Sequence, residues 1–154
     1  MHVWIRYNGG RLALTFKHAF NFQLSASLKD LNENLQRLSD AGIAVVAVSA
    51  DGVAATRDLS QKLGGLKYPV ATGLSVPQMR ELGLYISDPT AYVEQTFSFA
   101  EPAFFLLNHD GTIRYVSIAN NPVAGRVNVD ALLMAVGYVN QRSATDPAFT
   151  KVVW

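Results

Sequence analysis

Three features of the chain predict a single α/β domain built on a mixed sheet. An alternating strand is followed by a long amphipathic helix and then by an apolar, β-branched strand, Ile43 to Val48. Two more extended runs flank the turn sequence Asn108-His109-Asp110-Gly111, and a helix after Asn128 closes the pattern. The 154 residues suit one domain, since a domain of this size buries roughly 70% of the surface that its unfolded chain exposes. We expect that domain over 1–142, with 143–154 as a C-terminal tail.

The elements follow in order. Val3, Ile5 and Tyr7 alternate with Trp4 and Arg6, Asn8-Gly9-Gly10 supplies a turn, and Leu12, Leu14 and Phe16 resume the alternation, which predicts an N-terminal β-hairpin. From Phe22, leucines 24, 28, 31, 35 and 38 recur at helical spacing and predict a helix of about five turns ending at Ala41-Gly42. Strand, helix and buried strand in that order make a crossover unit with a parallel pair. Asp51-Gly52 opens a shorter helix with Val53, Leu59 and Leu63 facing inward, stopped by Gly64-Gly65. Residues 67–71 are a brief extended piece. Ser75 and Gln78 have capping-box spacing, with Pro77 in the first turn, for a helix over 76–82. Residues 84–101 show no period. Ala103–Leu107 and Thr112–Ile118 form an antiparallel hairpin, and the last helix presents Leu132, Leu133, Val136 and Val139 before ending by Arg142.

Composition narrows the function. Charged residues make up 16% of the chain, against about 25% in an average soluble protein. The apolar excess must therefore fill a core, a subunit interface, or both. A net charge of +1 without a basic stripe argues against nucleic acid, which requires Lys and Arg gathered on one face. No run reaches the roughly 20 apolar residues of a membrane span. No cationic, apolar leader pattern is seen at the start, so we expect a cytoplasmic protein. The absence of cysteine excludes disulfides, thiolate metal sites and every thiol nucleophile.

A βαβ unit, a hairpin and a closing helix are the thioredoxin-fold order, here with an extra N-terminal hairpin. Over about residues 11–142 the chain resembles the redoxin branch of the peroxiredoxins, the AhpC/TSA family. The resemblance is carried by L-A-L-T-F-K-H-A-F-N-F-Q-L-S-A-S-L-K-D-L at 12–31, A-G-I-A-V-V-A-V-S-A-D at 41–51 and E-P-A-F-F-L-L-N-H-D-G-T-I-R-Y at 101–115. It implies a thiol peroxidase ancestry, but the departures fall on the chemistry. The position of the peroxidatic cysteine is Asn21, that of the following proline is Phe22, and that of a second cysteine is Leu24. A peroxidatic cysteine acts as a thiolate whose pKa is lowered at a helix N-terminus, and an asparagine amide offers no such nucleophile. The family arginine that stabilises the thiolate corresponds to Pro102, and no arginine stands between Arg80 and Arg114. Thioredoxin-fold proteins commonly carry a cis-proline at this place, so we expect a cis Glu101–Pro102 bond beside the loop from Lys17 to Phe22.

The candidate pocket is therefore the degenerate peroxidatic site: Lys17, His18, Phe20, Asn21, Phe22, Leu24 and Pro102. Asn21 reads either as an amide at the mouth of a pocket or as an N-cap accepting from first-turn N–H groups. His18, beside Lys17, reads as an acid or base or as a loop histidine. His109 belongs to a turn and His2 to a terminus, and these scattered histidines give no metal site. Neither a serine-nucleophile elbow nor a phosphate-cradling loop is present. Phe20, Phe22, Phe97, Phe99, Phe104 and Phe105 read as core or interface, with Phe20 and Phe22 able to line a small pocket.

No cofactor is expected. The leading reading is a non-redox binding or interaction module for a small molecule or a protein. The alternative is an enzyme that reuses the pocket around Lys17, His18 and Asn21 without thiols. Family members extend further at the N-terminus, so a shortened chain is a third expectation. A homodimer is expected, burying Trp154 of the apolar tail F-T-K-V-V-W or the first hairpin.

Overall fold

The structure, a computed structural model, describes residues 10–16, 22–89, 97–108, 110–121 and 127–146. Side chains are described from Ser25 onward. The first strand of the N-terminal hairpin, the loop Lys17–Asn21, His109 and the tail from 147 lie outside these residues.

Five strands form the main sheet in the order β3-β2-β1-β6-β7, with β1 (Gly10–Phe16) in the middle. β1 runs parallel to β2 (Ile43–Ser49) over seven residues, from Gly10 opposite Ile43 to Phe16 opposite Ser49. On its other side it runs antiparallel to β6 (Ala103–Leu107), with Thr15 opposite Ala103. β7 (Ile113–Ile118) is one edge, and the two-residue β3 (Val70–Ala71) is the other. This is the thioredoxin-type mixed sheet that the element order predicted.

The core splits into two layers according to strand parity. Phe104 and Leu106 of β6 join Ile43, Val45 and Ala47 of β2 against leucines 28, 31 and 38, Tyr68, and the closing helix α5 (Val129–Thr145). Ala103, Phe105 and Leu107 point the other way, toward Met79 of α4 (Val76–Glu81), Leu84 and Ala100. All five β6 residues are buried, the mark of a strand covered on both faces. β2, read from its sequence as equally enclosed, buries only its odd positions, which face the first core layer, while its even positions on the opposite face are half-buried.

Several boundaries differ from expectation. The helix foreseen from Phe22 to Gly42 is two, α1 (Phe22–Glu33) and α2 (Leu35–Asp40). At Asn34 the backbone leaves helical geometry for one residue (φ −99°, ψ 9°), while its N–H still bonds the Asp30 carbonyl at 3.0 Å and its Nδ2 donates to the same carbonyl at 2.8 Å. Gly42, at φ 75°, then turns the chain into β2. In α3 (Val53–Lys62) Val53 is 60% exposed, not inward; the inward line starts one turn later at Thr56 and continues through Leu59 and Leu63. The capping box of α4 is present, with Gln78 Oε1 accepting from the Ser75 backbone N–H at 2.9 Å. Residues 84–101 hold a small hairpin, β4 (Ile86–Ser87) with β5 (Phe99–Ala100), too short to leave a periodic signal. The turn into β7 is made by Gly111 at φ 89°, with the Thr112 N–H bonded to Asp110 Oδ1 at 2.9 Å. α5 runs to Thr145, three residues beyond the expected end at Arg142.

Tyr68 pins α1 to the sheet. Its hydroxyl donates to the Leu28 carbonyl at 3.1 Å inside the first core layer, and burial pushes its phenol well above the usual value near 10. The folded state therefore keeps this proton to higher pH than the unfolded chain does. Below pH about 10 both states are protonated and the contribution is complete; as pH rises further, the unfolded chain ionises first and stability falls. Urea melts should show an alkaline loss above pH about 10 that Tyr68→Phe lessens, with the variant about 1 kcal/mol less stable at pH 7. An unchanged alkaline limb in the variant would contradict this assignment.

Candidate functional site

The sheet brings its chemistry together at the carboxyl end of β1, between the end of β2 and the start of β6. In open α/β sheets this is where ligands enter. On the β2 side, Ser49 Oγ donates to Asp51 Oδ2 at 3.0 Å and accepts from the Asp51 backbone N–H at 3.1 Å, with both residues buried. The next loop is tied to this turn: the Gly73 N–H reaches the Asp51 carbonyl at 2.9 Å, and the Leu74 N–H reaches the Ser49 carbonyl at 3.0 Å.

On the β6 side stands Glu101, 4% exposed. Its backbone N–H donates to the Tyr85 carbonyl at 2.8 Å, and its Oε1 accepts from Ser87 Oγ at 2.5 Å. Its Oε2 is buried and has no partner. Pro102 follows, half-buried, with its carbonyl accepting from the Ala119 N–H at 2.9 Å.

The Glu101–Pro102 bond is trans, which corrects the expected cis-proline. Trans is favoured by about 0.5–1 kcal/mol at an X–Pro bond. Here the chain enters β6 directly, and bonds to Tyr85 and Ala119 hold both residues without any reversal of direction.

Of the seven residues chosen from the sequence, the structure places Pro102 just before the partner of Thr15, Phe22 at the first position of α1, and Leu24 in its first turn. Lys17, His18, Phe20 and Asn21, which join β1 to α1 in the chain, lie outside the described residues. Among the phenylalanines, 99, 104 and 105 are core, whereas Phe97 is 43% exposed. Glu101 was not foreseen. Its only signal is its place, a lone acid in the apolar run F-A-E-P-A-F-F. No group of three potential metal ligands occurs among the described residues.

A second feature was also unforeseen: a groove of about 380 Å³ between α1 and the start of α5, with Ser27, Asp30, Asn34, Asn128 and Asp130 on its walls. Its polar groups largely serve each other. Asn34 bonds Asp30, Asn128 Oδ1 caps α5 by accepting from the Ala131 N–H at 2.9 Å, and Asp130 pairs with Arg37 at 2.8 Å. It holds none of the residues picked from the sequence.

The frame of this site has known counterparts. Residues 6–116 match the AhpC/TSA family. The chain belongs to that family. Comparison with curated proteins returns no match. Among solved structures, a mutant of the peroxiredoxin 6 of Arenicola marina is similar, with a TM-score of 0.73 and 18% identity over 89% of this chain and 63% of that one. The chain thus spans less than two thirds of that protein. The Xanthomonas campestris bacterioferritin comigratory protein gives a TM-score of 0.68 at 21% identity, over 86% of this chain and 80% of that one. The Enterococcus faecalis AhpC gives 0.68 at 18%, over 89% and 78%. At such identities these likenesses establish the fold. The AhpC/TSA frame is present in a chain with no cysteine among its 154 residues.

The Ser49–Asp51 turn is what holds the β2 wall of the site. Ser49→Ala should leave the buried Asp51 N–H and carboxylate each short of a partner and cost about 1–3 kcal/mol in urea unfolding. A change below a few tenths of a kcal/mol would show that the turn is not held this way.

Proposed function

We propose that this chain is a non-redox member of the AhpC/TSA family, a binding module that takes a small molecule at the degenerate peroxidatic site. One observation carries the reading: the family frame is kept while the 154 residues hold no sulfur nucleophile. The three methionines are thioethers, which cannot replace a thiolate. In this proposal Lys17, His18, Phe20, Asn21, Phe22, Leu24 and Pro102 line the pocket of a single domain over 1–142, with 143–154 as its tail. A cytoplasmic location, no cofactor and no nucleic-acid partner belong to the same proposal. Among the described residues no helix is long and apolar enough to cross a membrane.

A second reading, acid–base chemistry on a small apolar substrate at the same pocket, is favoured by the adjacent Lys17 and His18. Turnover lost in His18→Ala separates it from simple binding.

Thioredoxin- or glutathione-coupled consumption of hydrogen peroxide should stay at the buffer blank, and Asn21→Cys alone should add little, because Phe22 and Pro102 do not rebuild the family pocket. Wild-type turnover above the blank would overturn the non-redox reading.

The module works as a homodimer. Exposed β7 supports this: it is a sheet edge on which Ile113, Tyr115 and Val116 are 52%, 54% and 44% exposed, and no lysine or proline guards it. The opposite edge, at two residues, is too short to receive it, so like pairs with like. Light scattering should give twice the 16.8 kDa of one chain at micromolar concentration, and Val116→Lys should shift it to the monomer. A monomeric wild type would refute the pairing.

A further inference from the structure

We propose that residues 64–67 are a latched cover over the outer edge of β2, that Asn32 is the latch, and that releasing it opens this edge to strand addition by a second copy of the chain. The proposal is independent of any ligand and of the pairing through β7.

β2 is nearly an edge strand. Its ladder with β3 reaches only Ala47 and Val48. The Ala47 N–H donates outward, to the Pro69 carbonyl at 2.9 Å, and strand alternation turns the backbone groups of Ile43 to the same side, beyond the end of that ladder. Pro69 has no N–H with which to extend it. The run I-A-V-V-A-V at 43–48 is apolar, β-branched, uncharged and free of proline and glycine. A segment of that composition pairs with its own copies when its edge is free.

The chain that leads from α3 into β3 closes this edge. Leu63 and Leu66 pack on the core layer that holds Ile43 and Val45. Gly64 and Gly65, at φ 82° and 89°, turn the chain out of α3 in the left-handed region. The Gly65 N–H donates to the Ser60 carbonyl at 2.8 Å and the Leu66 N–H to Ser60 Oγ at 3.0 Å, but Ser60 belongs to α3, the element being left. The tie to a different element comes from one side chain on α1. Asn32 Nδ2 donates to the Gly65 carbonyl at 3.1 Å, and Asn32 Oδ1 accepts from the Lys67 N–H at 2.7 Å. These two bonds, on either side of Leu66, are the pair that a parallel neighbouring strand would make. A single amide therefore stands in for a strand, and Tyr68, bonded to Leu28 of the same helix, fixes the far end of the cover.

Hydrogen exchange and light scattering of the full chain carrying Val116→Lys, which takes the β7 pairing out of the readout, test this. Adding Asn32→Ala should speed exchange of the Gly65 and Leu66 amides, whose acceptors on Ser60 are untouched, at least about tenfold, the scale of two lost hydrogen bonds, and leave Phe105 and Leu106 as they were. The mass from scattering should rise at least about twofold over Val116→Lys alone. The isosteric Asn32→Asp keeps Oδ1 and sets a second acceptor against the Gly65 carbonyl, so it should act in the same direction, and it decides the matter where Asn32→Ala does not fold. Asn128→Ala, which removes the cap of α5, controls for lost stability and should change neither readout. Unchanged exchange at Gly65 and Leu66, faster exchange without a rise in mass, or the same changes in Asn128→Ala would each overturn the proposal. A monomeric wild type, which refutes the β7 pairing, leaves these comparisons intact.

Discussion

The central strand β1 is what the remaining structure depends on. Both of its edges are taken, seven residues in parallel with β2 and five antiparallel with β6, so its backbone groups are paired on both sides. A net gain of only about 0.5–1.5 kcal/mol per hydrogen bond makes the ladders a specifying constraint more than a large store of stability. What they specify is register. Phe16 opposite Ser49 and Thr15 opposite Ala103 bring the Ser49–Asp51 turn and the Glu101–Pro102 entry to the two sides of one strand end. A slip of one residue would turn the alternating core sets of β2 and β6 to the wrong layer. The same parity that builds two core layers therefore also places the site.

Much of this was readable in the residues. The run I-A-V-V-A-V, the N-H-D-G turn and the helix start at Asn128 each carry a local physical signal, and the elements they predict are present. The misses have local causes too. The leucine-periodic helix departs from helical geometry at the single residue Asn34, which spacing cannot express, and Val53 sat one turn too early on α3 to face inward. The β4–β5 hairpin is two residues per strand, shorter than any period. The cis-proline was inferred from kinship, and the local hydrogen bonds hold the trans form. Of the seven candidate residues, Phe22, Leu24 and Pro102 fall among the described ones, whereas the buried, half-satisfied Glu101 is a property of packing, which only the folded chain defines.

A family frame without its nucleophile separates what the fold needs from what the reaction needs. The sheet register, the two core layers and the Ser49–Asp51 turn require no cysteine. The fold itself is shared with the solved structures compared, to which the chain is 21% identical or less. At the entry to β6 the chain carries a buried carboxylate, Glu101, directly before Pro102.

Native-state hydrogen exchange of the β1 amides tests the account most directly, because the site exists only if the central strand is locked on both sides. The account predicts that amides of Leu12 through Thr15 exchange as slowly as those of Val45 through Val48 and Phe104 through Leu106, all by global unfolding. The β3 and β4–β5 amides should open earlier. Exchange of β1 at the rate of a surface loop, while β2 and β6 remain protected, would contradict it.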